Sequence, residues 1–315
     1  MKGEKYQYIA SCEREGGIFC YVLEESGQLS FRHSLKADRP MYLAADAGRM
    51  YALLREPFAG IEESGLVVYQ TAKDGKLTKI WGPISTKGKV ACHLAVDSGQ
   101  VFCVNYISGN VVRMPDRIVT HHGSSVHGTR QTGPHTHFVT VTFDGYVLVT
   151  DLGLDQIFTY TKDLDLAAVA SVPKGNGPRH LAFSRDKGRV YCLNELSSSI
   201  SAFRYDAGKL TACGEYSTLP EDFHGESTAA AIKVYGNFVY VSNRGHDSIT
   251  VYEERDGKLI WKNCYPSGGI CPRDFKVEER VLIVANEISD EVTVLNRMTG
   301  QVVQKIKVSS PVCVI

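Results

Sequence analysis

The sequence predicts an all-β protein, a seven-bladed β-propeller whose blades each have four antiparallel strands. Three observations support this. The 315-residue chain consists of short alternating apolar and polar runs separated by turn signals, without a convincing amphipathic helix. One strand-end pattern recurs at positions 12, 55, 105, 151, 194, 243 and 286. The two chain ends carry complementary parts of one repeat.

The recurring pattern is the end of a strand, as in "FCVNY", "YCLNEL" and "LIVANE". We take the following positions as equivalent: Cys12, Arg55, Asn105, Asp151, Asn194, Asn243 and Asn286. Each copy has an earlier strand such as "RHLAF" and a later one such as "SISAFRY", and a fourth often follows a turn, as in "ERDGKLI". Four strands in about 45 residues is the size of a propeller blade.

The ends of the chain predict how the ring closes. The N-terminus begins with the second strand of a copy, and the C-terminal "SPVCVI" has the pattern of a first strand. We expect the C-terminal strand to be the innermost strand of the first blade, which would hide the sheet edges. This arrangement predicts one domain over residues 1–315, whereas an open stack of sandwiches is the alternative.

Composition limits the classes of partner. The 35 basic and 35 acidic residues give no net charge, so nucleic acid is not expected. No apolar run approaches the roughly 20 residues that span a bilayer, and the start has no signal core, so we expect a cytoplasmic protein without a membrane partner. The nine cysteines include no C-x-x-C pair and are expected to be core thiols in a reducing compartment. A closed ring needs no partner, which favours a monomer.

The propeller geometry predicts a cluster of ionisable residues. The start of each first strand and the end of each second strand lie on one face, at one mouth of the central channel. Blade five therefore brings Arg179, His180, Asn194 and Glu195 together. The other blades add Glu13, Arg39, Arg55, Glu56, His93, Asn105, Tyr106, His135, His137, Asp151, Glu226, Asn243, Arg244, His246, Arg273, Asp274 and Glu287. A solvated rim or a structural ion-pair network is the alternative to a functional site.

These residue types suit one kind of chemistry. Arginines bind carboxylate or phosphate, and His or Glu can move a proton near neutral pH. The sequence contains neither G-x-S-x-G nor H-E-x-x-H, so a serine elbow and a zincin site are not expected. We interpret His121, His122 and His127 as a solvated loop and predict no metal or other cofactor. The longer blade-two segment "LREPFAGIEESG" either overhangs the mouth or is a simple loop.

Several motifs resemble a known family. "GPHTHF", "DLGLDQIFTY", "GPRHLAF", "NELSSSISAF", "VSNRGHDSITVY" and "CPRDF" are similar to the lactonase family of seven-bladed propellers. That family includes bacterial propeller-type 6-phosphogluconolactonases and fungal carboxy-muconate lactonizing enzymes. The resemblance runs in order through nearly the whole chain and is weak in the first two blades. It departs at Gly225-Glu226-Ser227-Thr228, where relatives commonly read "GENT", which could alter a substrate contact.

The resemblance implies the functional residues. The implied catalytic residues are His135 (with His137 as the alternative), Arg179, Glu195 and Arg244. The channel mouth adds these substrate-binding candidates: His137, His180, Asn194, Glu226, Asn243, Arg273 and Glu287.

Together these observations predict a metal-independent lactone hydrolase whose substrate is a sugar-phosphate lactone, 6-phosphogluconolactone. Arg179 and Arg244 would hold the phosphate or polarise the carbonyl. Glu195 or His135 would take the proton from water, and the other could protonate the leaving ring oxygen. A muconate-type lactonizing isomerase and a non-catalytic binding propeller are the alternatives.

Overall fold

The structure is a computed structural model that describes residues 4–55 and 62–315. Over these residues, seven four-stranded antiparallel sheets form and no helix occurs. The prediction of a seven-bladed propeller with four-stranded blades is confirmed.

The first four blades use strands β1 to β15 and the C-terminal strand β28. Blade one contains β28 (Pro311–Val314), β1 (Tyr6–Ser11), β2 (Gly17–Leu23) and β3 (Leu29–Lys36). Blade two contains β4 (Pro40–Asp46), β5 (Arg49–Leu54), β6 (Gly65–Thr71) and β7 (Leu77–Ser85). Blade three contains β8 (Ala91–Asp97), β9 (Gln100–Asn105), β10 (Asn110–Arg113) and β11 (Arg117–Thr120). Blade four contains β12 (Thr136–Val141), β13 (Val147–Asp151), β14 (Gln156–Tyr160) and β15 (Leu166–Ser171).

The last three blades follow the same order without interruption. Blade five contains β16 (Pro178–Phe183), β17 (Arg189–Asn194), β18 (Ser199–Asp206) and β19 (Lys209–Ser217). Blade six contains β20 (Thr228–Tyr235), β21 (Phe238–Arg244), β22 (Ser248–Arg255) and β23 (Lys258–Pro266). Blade seven contains β24 (Pro272–Val277), β25 (Val281–Asn286), β26 (Glu291–Asn296) and β27 (Val302–Lys307).

The ring closes through the C-terminal strand, as the sequence predicts. β28 pairs antiparallel with β1, and the backbone amides of Tyr8 and Ile315 each donate to the other residue's carbonyl, at 2.8 and 3.0 Å. The first blade is therefore built from both ends of the chain. This pairing covers the inner edge of β1.

Burial follows the position of a strand within its blade. Second strands such as β25 ("VLIVAN") are buried along their whole length, whereas outer strands such as β27 alternate between exposed and half-buried positions. This is expected when blades pack face to face, because both faces of a middle strand are then covered. Seven apolar clusters result, each between one pair of neighbouring blades.

All nine cysteines are free thiols, and six of them are buried. The exposed thiol is that of Cys213, on the outer strand of blade five. In the described part of the chain, no helix is long and apolar enough to cross a membrane.

Candidate active site

A β-bulge at the start of each innermost strand aims one residue at the channel mouth. In blade five the register shifts between Pro178 and His180, so Arg179 is the extra residue. The same shift occurs in every blade. The bulged residues in blades one to seven are Val312, Met41, Cys92, His137, Arg179, Ala230 with Ala231, and Arg273. A bulge turns a side chain away from the ordinary strand alternation, which explains why a buried strand can present a charged group here.

A second equivalent position follows the second-strand residue that pairs with the inner-strand residue just before the bulge. In blade five, Asn194 pairs with Pro178 and Glu195 follows it. The residues at this position in blades one to seven are Cys12, Arg55, Tyr106, Leu152, Glu195, Arg244 and Glu287.

This alignment corrects the sequence-based one in the first two blades. The sequence repeat aligns Cys12 and Arg55 with Asn194, but the strand pairing aligns Ser11 and Leu54 with it instead, so the predicted alignment is wrong by one residue. Asn194 donates its amide to Ser199 and Ser201 within its own blade. Leu54 has no polar side chain and Ser11 no amide, so the sequence signal is lost there.

These two positions line most of one cavity at the mouth, with a volume of about 330 Å³. The lining residues are Met41, Arg55, Val90, Cys92, Tyr106, Arg130, His137, Arg179, Glu195, Thr228, Arg244 and Arg273. Only Val90, Arg130 and Thr228 come from elsewhere. Five arginines therefore line the cavity, and Glu195 is the one carboxylate among the described lining residues.

Glu195 connects three of these arginines. Its Oε1 accepts from Arg130 Nη2 at 2.6 Å, and its Oε2 accepts from Arg179 Nε at 2.9 Å. Arg244 Nη2 lies 3.1 Å from the same Oε2. The carboxylate is only 4% exposed. One buried carboxylate thus fixes guanidinium groups that come from three different parts of the ring.

The electrostatics of this cluster keep Glu195 ionised. Burial by itself raises the pKa of the Glu195 carboxyl, but the charges of Arg244 and Arg179 outweigh it and hold the pKa well below its usual range. A carboxylate with such a low pKa is a weak base at neutral pH. The geometry therefore suits Glu195 to positioning arginines and does not favour it as the group that removes a proton from water.

Arg179 is held from two sides. Its Nη1 donates to the carbonyl of Ala230 and lies 2.9 Å from His180 Nε2. Burial, together with Arg244, lowers the pKa of Arg179 to about 10, so the guanidinium stays charged at neutral pH. Burial and the Arg179 charge also hold the pKa of His180 well below its usual range, so its Nε2 can accept from Arg179 as a neutral imidazole.

Of the two histidines in "HTH", His137 lines the cavity. It is the bulged residue of blade four and is 5% exposed. Its buried Nδ1 has no hydrogen-bond partner among the described residues. Burial, with Arg179 adding to it, holds the pKa of His137 well below its usual range. A neutral imidazole therefore faces the same cavity as the arginines.

His135 lies outside the cavity lining. Its ring stacks on Tyr106 with centroids 4.4 Å apart, and its Nδ1 is 3.0 Å from the Tyr106 carbonyl oxygen. The structure thus places the alternative residue, His137, where the sequence analysis put His135 first.

The other side of the cavity has fewer direct ion pairs among the described residues. Arg273 Nη1 donates to Glu287 at 2.9 Å, whereas its buried Nε has no partner in the described part of the chain. Glu287 keeps a pKa below its usual range, because Arg273 outweighs the effect of burial. Arg55 forms no salt bridge with a described carboxylate. It lies near enough to Glu287 for its charge to help lower the pKa of that carboxyl.

Aromatic rings lie beside His137 on the inner strands. His93 packs against Tyr42 and Phe138, each at a centroid distance of 4.0 Å. His180 lies 5.5 Å from both His93 and His137. The low pKa that burial gives His93 and His180 fits this packing of neutral rings.

Of the seven predicted substrate-binding residues, His137 and Arg273 line the cavity. His180 and Glu287 do not line it but contact its arginines. The other three are placed away from it. Asn194 and Asn243 are fully buried, and their amides bond to hydroxyl groups within their own blades. Glu226 is exposed on the loop before β20. The site proposed below does not include them. Half of the blade-two segment, residues 56–61 including Glu56, lies outside the described residues.

The histidine-rich loop contains one buried histidine. His121 Nδ1 lies 2.7 Å from Asp151 Oδ2, and its Nε2 lies 2.8 Å from the hydroxyl of Tyr160. The prediction that His121 is solvated was wrong, because it bonds across to the next blade. His122 and His127 are exposed.

Arg130 is the site residue that sequence reasoning missed. It lies in the long loop between β11 and β12, where no strand periodicity fixes a position. It bonds to Glu195 and also to the hydroxyl of Tyr106, at 3.3 Å. Within residues 4–55 and 62–315, no cluster of three His, Cys, Asp or Glu side chains could hold a metal ion.

Comparisons with known proteins identify the family of this chain. The family described as "Lactonase, 7-bladed beta-propeller" matches residues 6–315. The 6-phosphogluconolactonase of Bacillus subtilis is 32% identical and covers 98% of this chain and 97% of its own length. A periplasmic gluconolactonase structure from Pseudomonas aeruginosa is 26% identical, covers 98% of both chains and has a TM-score of 0.87. A structure from Lactobacillus plantarum is 28% identical, with a TM-score of 0.88 over 99% of this chain and 98% of that one.

Proposed function

The chain belongs to the lactonase family of seven-bladed β-propellers, and on that premise we propose that it hydrolyses 6-phosphogluconolactone to 6-phosphogluconate. The observation that carries this proposal is the excess of positive charge in the cavity. Five arginines face it, and among the described residues Glu195 and Glu287 are the carboxylates that pair with them. Three positive charges are left over. A phosphorylated substrate brings about two negative charges, which would offset most of that excess.

The division of ion pairs supports a separate place for the phosphate. Arg130, Arg179 and Arg244 are tied to Glu195. Arg55 has no described carboxylate partner, and Arg273 shares only Glu287. A planar guanidinium group can bind two oxygens of one phosphate at the same time. We therefore assign the phosphate to Arg55 and Arg273, and the lactone ring to the side that holds Glu195.

The reaction needs positive charge where the carbonyl oxygen becomes negative. Arg179 and Arg244 are held rigidly by Glu195 and by backbone carbonyls of blade six. Fixed charges of this kind need no rearrangement as the transition state forms, so they lower the barrier to attack. Replacing the charge of either arginine would remove that stabilisation.

His137 is the proposed general base, in place of His135. Its neutral ring takes a proton from water while the water oxygen bonds to the carbonyl carbon. The tetrahedral intermediate then collapses, the bond from the carbonyl carbon to the ring oxygen breaks, and the imidazolium returns its proton to that oxygen. A bound phosphate offsets arginine charge, which would raise the pKa of His137 toward neutrality and make it a better base.

The remaining predictions fit this proposal as expectations. The reaction as written uses no cofactor. Nine free thiols suit a reducing compartment such as the cytoplasm, where we expect the protein to act as a monomer.

The test is lactone hydrolysis by purified protein, followed by proton release with spontaneous hydrolysis subtracted. 6-Phosphogluconolactone and unphosphorylated gluconolactone are compared side by side, with a muconate-type diacid as a third substrate. We expect a kcat/KM at least about tenfold higher for the phosphorylated lactone, since charged hydrogen bonds contribute about 1.5 kcal/mol or more. Equal rates for the two lactones would favour a general gluconolactonase. No lactone turnover would contradict the proposal and favour isomerisation or a binding propeller.

A further inference from the structure

A buried carboxylate outside the cavity connects two segments that supply cavity residues. Asp155 lies in the turn between β13 and β14 and is 2% exposed. Its Oδ2 accepts from Ser125 Oγ at 2.6 Å and from the Gly175 amide at 2.7 Å. Its Oδ1 accepts from Gln131 Nε2 at 2.8 Å and from the Gly177 amide at 2.7 Å. Four donors thus converge on one side chain.

Two of these donors belong to the loop between β11 and β12. Ser125 and Gln131 lie within it, and Arg130 is the neighbour of Gln131. Gln131 is fully buried and also donates to the Leu152 carbonyl at 2.8 Å. The loop has no strand pairing of its own, so these bonds fix the position from which Arg130 reaches Glu195.

The other two donors belong to the turn that leads into β16. Gly177 precedes Pro178 and the bulged residue Arg179. The carbonyl of Gly177 accepts the backbone amide of Glu195 at 2.7 Å. Asp155 therefore holds the backbone from which both Arg179 and Glu195 project.

Equivalent turns elsewhere show what is special about Asp155. Asp155, Asp247 and Asp290 all have left-handed backbones, with φ of 56°, 53° and 53°. Asp247 accepts the amide of Cys271 at 2.8 Å, and Asp290 accepts that of Ser310 at 2.8 Å. Each aspartate thus links its turn by a hydrogen bond to the segment that leads into the next blade. Among these three, Asp155 is the one that also accepts hydrogen bonds from a loop that contains an arginine of the cavity.

We propose that Asp155 is a positioning residue that sets Arg130 and Arg179 around Glu195. This inference rests on the proposed lactone hydrolysis for its effect on rate, but not for its effect on structure. Asp155 touches no lining residue's side chain among its described contacts. It acts through the backbone and through Gln131 and Ser125.

The test compares Asp155→Asn with Asp290→Asn. The amide keeps one acceptor oxygen but turns an N–H toward Gly175, so the two segments lose part of their anchor. We expect kcat/KM to fall at least about tenfold in Asp155→Asn, because small misplacements of charged groups are costly. Asp290→Asn weakens the equivalent hydrogen bond to Ser310, next to the uncharged bulged residue Val312. Its kcat/KM should stay within about twofold of the wild type.

A double-mutant cycle separates positioning from general destabilisation. If Asp155 acts partly through Arg130, then Asp155→Asn should cost clearly less in an Arg130→Ala background than in the wild type. If the losses of kcat/KM in Asp155→Asn and Arg130→Ala were additive in variants of equal stability, Asp155 would not act through Arg130. Should Asp155→Asn fail to fold, Ser125→Ala is the second variant, because it removes one hydrogen bond to Asp155 without burying an unmatched charge. We expect a smaller loss of kcat/KM in Ser125→Ala, and that loss should again be smaller in the Arg130→Ala background.

Hydrogen exchange tests the structural part without any substrate. Asp155→Asn should speed amide exchange at least about tenfold in residues 121–135 and 175–179, and leave blade seven unchanged. Unchanged exchange in those segments, or wild-type kcat/KM in a folded Asp155→Asn, would overturn the proposal. If the wild type hydrolyses no lactone, the proposed function fails, while this exchange result still decides the positioning role.

Discussion

The cavity has two sides that are built mostly from the same backbone positions but differ in how many of their arginines contact a carboxylate. On one side, which we call the Glu195 side, the lining residues are Arg130, His137, Arg179, Glu195 and Arg244. On the other, the Arg55 side, they are Arg55, Arg273, Met41 and Cys92. Every arginine of the Glu195 side meets one carboxylate, whereas Arg55 meets none among the described residues.

The difference in ion pairing between the two sides shows how a symmetric fold can form an asymmetric site. Each blade offers a bulge on its inner strand and a position just after the partner of the residue before that bulge. The propeller therefore provides fourteen nearly equivalent positions. On the Glu195 side, each arginine contacts a carboxylate that fixes its position without a ligand. On the Arg55 side, Arg55 has no such contact among the described residues, so its guanidinium is available to an anionic ligand. We therefore expect loss of chemistry from changes on the Glu195 side and loss of selectivity from changes on the Arg55 side.

The largest effect is expected for His137→Asn. Removing a general base typically costs 100- to 10,000-fold, and we expect kcat to fall by about 1,000-fold with a small change in KM. The wild-type kcat/KM should fall only well below pH 6.5, because burial holds the pKa of the free imidazole down. The measurement is a pH profile for both proteins. A loss from His135→Asn as large as that from His137→Asn would contradict the assignment.

The next effect is expected for Glu195→Gln, with an activity loss of about 100-fold. The variant leaves three arginines without their common partner, so the free energy of unfolding should also fall by about 3–5 kcal/mol. The pKa of Glu195 is lower in the folded state, so its contribution to stability is complete above the ordinary value of 4.5 and is lost as the pH falls below it.

Denaturant titrations at several pH values check the Glu195→Gln prediction. The difference in stability between the wild type and the variant should narrow as the pH is lowered from 6 to 3. If the difference in the free energy of unfolding stayed constant over that range, the arginines would not lower the pKa of the Glu195 carboxyl, which would contradict the account.

The smallest effect is expected from an inorganic anion. If phosphate binds the Arg55 side with a Kd of about 1 mM, then 10 mM phosphate adds about 1.4 kcal/mol. The melting temperature should rise by about 2–3 °C relative to chloride at the same ionic strength. The rise should disappear in Arg55→Met. A rise of equal size in that variant would place the anion elsewhere.

The sequence predicted the ring correctly, since period-two runs and a repeat of about 45 residues are strong signals. It was less accurate where a signal depends on one residue. The Asn at the second strand's end marks the register in blades five to seven, but Leu54 and Ser11 do not carry it, which displaced Arg55 by one position. The "HTH" motif left His135 and His137 as alternatives. A six-residue motif does not show the bulge that places His137 in the cavity lining. Arg130 had no signal at all, since its loop is placed by Asp155 rather than by strand pairing.

The most direct test of the two-sided cavity is the selectivity of Arg55→Met. The quantity to measure is the ratio of kcat/KM for 6-phosphogluconolactone to that for gluconolactone, with Arg204→Met, a change at an exposed arginine, as the control. The account predicts that the ratio falls at least about tenfold in Arg55→Met, while turnover of gluconolactone stays within about threefold of the wild type. An unchanged ratio, with both substrates losing activity equally or not at all, would contradict it.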